Sequence, residues 1–179
     1  MSRRLALRSA VAVACLAGVS ACVVNLSFDM DQPDLPLTSP GPGSSSWSAQ
    51  LPVDLGKYKE VSDHKDNIKS LDLDYVDVTI TRVNAGNQAK VLNGTLALRR
   101  NLTDAPANDV KVGDIVNLPV APNSTVRIKG NPALDALLLE QLHKGGTFYL
   151  LGSGSTDSKA DMVLDLNLHA SLGYDSGLF

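Results

Sequence analysis

Met162–Ser171 alternates without a break. Met162, Leu164, Leu166, Leu168 and Ala170 fall on one side, and Val163, Asp165, Asn167, His169 and Ser171 on the other. A helix would scatter those apolar residues around its axis. An antiparallel strand with one face buried and one in water collects them. Shorter stretches repeat the signal. Leu71, Leu73 and Tyr75 alternate with Asp72 and Asp74; Val76, Val78 and Ile80 then alternate with Asp77 and Thr79. The phase changes at Tyr75-Val76, which calls for a bulge, a kink or a change of sheet. Leu92–Leu98 is a further strand with Gly94 as a bulge. Val110–Val112 and Ile115–Val120 flank Gly113-Asp114, with Pro119 at a strand end or edge. Thr125–Lys129 and Thr147–Leu151 complete the set. Asn84–Asn87 reads as a turn, and Gly152–Ser155 with Asp157–Asp161 as a turn region.

One helix interrupts the strands. Asn131 suits an N-cap, Pro132 the first helical position, and Gly145 the residue past the end. Leu134, Leu137, Leu138 and Leu142 form one stripe at helical spacing, broadened by Leu139. That face is expected against a sheet, where the same leucines are also the candidate lining of an apolar groove. Val53–Ile68 is ambiguous between a short helix and a structured lead-in. Six or seven strands and one late helix predict a mainly β, two-sheet antiparallel sandwich. A parallel sheet would need several crossover helices.

The N-terminus reads as an address. Ser2-Arg3-Arg4 and Arg8 precede an apolar run, Leu5–Gly18, too short to remain as a membrane span. Val19-Ser20-Ala21-Cys22 resembles the lipobox of bacterial lipoproteins. The resemblance implies cleavage before Cys22 and acylation of its thiol. A secreted, unlipidated protein is the other outcome of such a leader. Ser2-Arg3-Arg4-Leu5-Ala6 partly matches a twin-arginine signal, with Ala6 where Phe is usual. Residues 1–21 are thus expected to be a signal peptide and 22–52 a lipidated N-terminus and disordered tether. Pro33, Pro36, Pro40, Pro42 and Ser44-Ser45-Ser46 give that tract its tether-like composition. The single tryptophan, Trp47, sits inside it, read as a residue folding back over a groove. Residues 53–179 form the expected domain. Cys15 goes with the leader, so no thiol remains for a disulfide or a metal.

Losing Arg3, Arg4 and Arg8 takes the formal net charge from −3 to −6. Seventeen of the nineteen acids are aspartate, which favours turns and strand ends over helices. Such a surface is unsuited to nucleic acid or to electrostatic docking on anionic lipid. The expected membrane attachment is lipid on Cys22 alone.

The segments Leu71-Asp72-Leu73, Val78-Thr79-Ile80, Gly94-Thr95-Leu96, Leu118-Pro119-Val120, Asn123-Ser124-Thr125 and Gly146–Gly152, with the Leu-rich helix and the closing strand, resemble a WHy domain of the late embryogenesis abundant group 2 type. The resemblance covers about Ile68–Leu172. Asn84-Ala85 stands where the family has Asn-Pro. It implies an Ig-like sandwich with one late helix, a binding or stabilising role in stress protection, and no catalytic residues.

Nothing in the chain assembles a catalytic motif. His64, His143 and His169 lack metal-ligand neighbours. Asp72, Asp74 and Asp77 lie on a predicted strand rather than in a calcium loop. Gly152-Ser153-Gly154-Ser155-Thr156 lacks the lysine and the helix of a phosphate loop. The expectation is a non-catalytic lipoprotein of the bacterial cell envelope, at the outer membrane, without metal or cofactor. Its partner is an envelope protein of unknown identity or, as the alternative, an apolar ligand that it carries.

Overall fold

The computed structural model describes residues 23–39 and 45–176. Eight strands run in chain order: β1 Val23–Thr38, β2 Ser45–Asp54, β3 Ile68–Val83, β4 Val91–Arg99, β5 Val110–Pro119, β6 Ser124–Lys129, β7 Thr147–Thr156 and β8 Asp161–Asp175. They form two four-stranded antiparallel sheets, ordered β1-β8-β3-β6 and β2-β7-β4-β5. The two-sheet sandwich expected from the alternation is the fold observed.

β8 is the inner strand that Met162–Ser171 demands. It pairs with β1 on one side and β3 on the other, and its apolar set is buried to the last residue. The phase change in β3 is a bulge: the register with β8 slips between Leu73 and Tyr75. Leu71 and Leu73 before it, and Val76, Val78 and Ile80 after it, all face the core.

Helix α2, Pro132–His143, packs chiefly on β3, with β5 and β7 alongside. Asn131 Oδ1 accepts from the backbone N–H groups of Ala133 and Leu134 at 3.0 and 3.4 Å. Gly145 and Gly146 take φ of +120° and +84° just past its end. Between β2 and β3 the ambiguous stretch resolves into the four-residue helix α1, Lys59–Ser62, set between two short 3-10 turns.

Of the tether expected over 22–52, the described residues form two strands. β1 pairs with β8 from Val23 to Thr38, and β2 pairs with β7 from Ser45 to Asp54. The reason lies in alternation that the prolines obscure. Leu26, Phe28 and Met30 point inward while Ser27, Asp29 and Asp31 point to water. Pro33 and Pro36 cost β1 little, because it is an edge strand and its outer side needs no donors. Asp34 absorbs the resulting kink at φ +57°, and its N–H donates to Asp165 Oδ1 at 2.9 Å. Gly152–Ser155 is likewise strand rather than turn. It lies inside β7, where Gly152 leaves room for the indole of Trp47 and Gly154 for the backbone of Asn93 and Gly94.

The β7–β8 loop is clamped by one carboxylate. Asp157 Oδ1 accepts the N–H groups of Lys90 and Val91 at 2.8 and 3.1 Å. These donors hold its carboxyl below the usual carboxylate range. A depressed folded value means that the clamp stabilises the fold fully above the ordinary carboxylate pKa and is lost as pH falls through the depressed value. D157A is therefore expected to melt below the wild type at pH 7. The gap should start to close near about pH 4 and vanish at lower pH. Thermal melts followed by circular dichroism across a pH series check this; a gap that stays constant with pH would assign Asp157 no electrostatic part.

Candidate functional site

Cys22 lies outside the described residues. Its neighbour Val23 is already the first residue of β1, paired with Asp175 and 48% exposed. At the same end of the sandwich Ile68 pairs with Tyr174, and His64 stacks on the Tyr174 ring at 3.8 Å. An anchor on Cys22 therefore has no spacer. It would hold this end of the sandwich against whatever surface the anchor enters.

Of the leucines of α2, Leu142 borders a hollow of about 250 Å³ with Gly56, Val61, Ser62, Lys65, Gly145 and Gly146. Leu134, Leu137 and Leu138 are 0% exposed and Leu142 is 1% exposed. All four belong to the core beneath the helix, and among the described residues no single apolar groove is shared by them. The apolar opening lies instead along the seam where β1 faces β2. Leu35, Leu37, Trp47 and Leu51 border it, and its volume is about 30 Å³, room for a side-chain tip. On the other side of β2, over the outer face of its sheet, is an open hollow of about 510 Å³. Ser48, Gln50, Thr95 and Ser153 line it, with the Arg99–Asp109 pair at its rim. That pair is bidentate, at 2.6 and 2.8 Å. Its hydrogen bond raises the pKa of Arg99 further.

The titratable groups meet on the outer face of the other sheet. His169 Nδ1 lies 2.8 Å from Asp29 Oδ1, and His169 Nε2 lies 3.9 Å from Asp74 Oδ2. The His169 ring stacks on Tyr75 at 4.7 Å. Arg127 covers the other face of Tyr75 at 3.6 Å and grips Asp77 through two bonds of 2.7 and 2.6 Å. The row thus crosses β1, β8, β3 and β6. Each group is matched by a neighbour of opposite charge or by a ring, the form of a cross-strand ladder on a solvated face. The sequence gives no local sign of it, since Asp29 and His169 are 140 positions apart. Of the strand aspartates Asp72, Asp74 and Asp77, the last two belong to this ladder. Among the described residues no three His, Cys, Asp or Glu side chains gather as metal ligands.

Other perturbed carboxylates have structural partners. Burial pushes the Asp135 carboxyl up, opposed by the bond it accepts from Leu73 N–H at 2.9 Å. Lys144, then Arg100, lowers the pKa of Glu140, tying α2 to the residue after β4. Lys111, then Thr95, does the same to Asp114.

No family model matches the chain, and no curated protein matches it. Among solved structures it is similar to the decameric BFDV capsid protein, at 9% identity and a TM-score of 0.42 over 84% of this chain and 99% of that one. Desmodium yellow mottle tymovirus gives 14% identity and a TM-score of 0.37, over 90% and 94% of the two chains. Tobacco necrosis virus gives 14% and 0.33, over 82% and 95%. At TM-scores below 0.5 these likenesses assign neither a family nor an activity.

Proposed function

We propose that the chain is a non-catalytic lipoprotein of the bacterial envelope, anchored at the outer membrane by lipid on Cys22, whose β-sandwich binds or stabilises a partner. The observation that carries this is the leader ending in Val19-Ser20-Ala21-Cys22. The WHy-like run of Ile68–Leu172 supports the binding or stabilising part. The start of β1 at Val23 adds a geometric consequence, because the domain then works at the bilayer surface rather than at the end of a spacer.

The apolar-carrier reading is not favoured. Leu134, Leu137 and Leu138 are packed into the core, the hollow that Leu142 borders is otherwise lined by Val61, three glycines, Ser62 and Lys65, and the opening of about 30 Å³ at the β1–β2 seam cannot enclose a lipid chain. Ligand sites that bury small molecules are roughly tenfold larger or more.

Intact-mass measurement of protein purified from membranes tests the anchor. The expected species begins at Cys22 and carries acyl mass, and Cys22→Ala should leave the protein in the soluble fraction. A mature chain without lipid that leaves the membrane on washing would sink the reading.

A further inference from the structure

We propose that the free edge of β2 captures an extended polypeptide segment of alternating apolar and small polar residues, adding it as a fifth strand to its sheet. This deepens the binding half of the reading above and does not depend on the lipid.

Among the described residues the two sheets have four edge strands, β1, β6, β2 and β5. Three carry devices that discourage pairing. β1 is kinked at Asp34 between Pro33 and Pro36. β6 is six residues long and bears Arg127 and Lys129. β5 bulges at Asn117, φ +50°, and bears Lys111 and Asp114. β2 is the least protected of the four, its one such device being Pro52 near its end. It pairs with β7 from end to end without a register shift, and Ser45–Val53 contains no charge.

Its free groups can be assigned. Pro52 has no N–H, yet the β7 pairing runs across it from Leu51 to Val53. Even-numbered positions therefore turn their hydrogen-bonding groups outward, where a missing donor costs the sheet nothing. That leaves the N–H and C=O groups of Ser46, Ser48 and Gln50 facing the open side.

The two hollows lie on either side of this same edge. A strand laid along β2 would turn alternate side chains inward, toward the apolar seam beside Leu35 and Leu51. The others would lie outward, beside Ser48 and Gln50, at the β2 border of the polar hollow. Main-chain bonds supply affinity in such pairing, and pockets for alternate side chains supply selection. The seam admits only a side-chain tip, so the inward residues are of valine size.

A lone strand suits this edge better than a second copy of the sandwich. β1 runs along the same side, and a whole second sandwich would bring its own Pro33, Asp34 and Pro36 against these. Two acidic chains would also repel.

The test is fluorescence anisotropy with a labelled peptide of alternating valine and serine, capped at both ends. Saturable binding is expected. Methylating alternate backbone nitrogens of the peptide should weaken it at least about tenfold, the equivalent of one or two lost hydrogen bonds. S48P should do the same and S48A should not. Should S48P fail to fold, the methylated peptide on wild-type protein decides. Equal binding of the methylated peptide, or no saturation up to about 1 mM, overturns the proposal. So does a dimer by sedimentation that S48P dissociates, because the occupant is then a second copy. None of these results bears on the mass of Cys22, so this proposal and the anchor fail separately.

Discussion

A chain that begins at Val53 is expected to show no cooperative unfolding transition, whereas one that begins at Val23 should unfold in a single step. The shorter chain keeps everything that composition marks as the domain. It lacks β1 and β2, one strand from each sheet. Phe28, Met30, Leu37 and Trp47 leave the core with them, all but 5–6% or less of each now buried. Burying such side chains is worth about 1.5–3 kcal/mol apiece, so the four account for about 6–12 kcal/mol. The net stability of a domain is about 5–15 kcal/mol. Their loss alone is therefore comparable to the whole. β8 and β7 would in addition become open edges, with apolar faces exposed beside them, which invites aggregation. Urea titration followed by far-ultraviolet circular dichroism measures the outcome. A sharp transition in the Val53 chain would show that β1 and β2 are additions to a core that stands without them.

What composition hides here, alternation reveals. The closing strand was legible because Met162–Ser171 is long, unbroken and free of proline or glycine. Helix α2 was legible because its start and stop residues are local, Asn131-Pro132 at one end and Gly145 at the other. The β3 bulge was legible because burial on one face makes a slip of one residue visible as a change of phase. β1 and β2 carry the same alternation, Leu26-Phe28-Met30 in one and Trp47 to Val53 in the other, but Pro33, Pro36, Pro40, Pro42 and Ser44-Ser45-Ser46, within and between them, obscure it. Whether a proline breaks a strand depends on whether its N–H would have faced a partner, and that depends on which strands end up at edges. Edge position follows from the whole topology, and no local window contains it.

The candidate sites show the same division. The stripe Leu134–Leu142 tells that a helix has an apolar face, and nothing in the stripe tells whether that face meets a ligand or the core. The ladder of Asp29, His169, Tyr75, Arg127 and Asp77 joins residues from four strands, so only the register of the sheet brings it together. The same holds for the hollows beside β2, whose walls come from β1, β3, β4, β5, β7, β8 and the residues before β5. The position of β1 also changes what an anchor at Cys22 would do. A flexible spacer would let the domain sample many orientations. A strand that starts at the next residue would instead fix one end of the sandwich toward the bilayer, and the β2 edge would then face sideways, with its strand axis leading away from the membrane.

Trp47 decides how firmly β2 belongs to the core. Its indole is 6% exposed, and its Nε1–H donates to the Asn93 carbonyl at 3.0 Å. The ring lies flat on positions that have no side chain. A methyl group added at Gly152 would come within 2.8 Å of Cζ3 of the indole, and one at Gly94 within 2.3 Å of Cζ2. Glycine at 152 is thus required by the tryptophan above it rather than by a turn. W47A is expected to cost about 3–5 kcal/mol, the usual range for emptying a buried aromatic site. G152A should cost about 1–3 kcal/mol through overpacking. The pair should be strongly non-additive. Once the indole is gone, the nearest remaining contact of the added methyl is Leu96 at 3.4 Å, an ordinary van der Waals distance. In the W47A background G152A should therefore cost almost nothing, or recover part of the loss by filling the vacated space. Urea unfolding followed by circular dichroism measures all four proteins, since Trp47 is the only tryptophan and its fluorescence disappears with it. A W47A variant within about 0.5 kcal/mol of wild type, the range of an ordinary surface substitution, would return Trp47 to the surface and β2 to a loosely held flank.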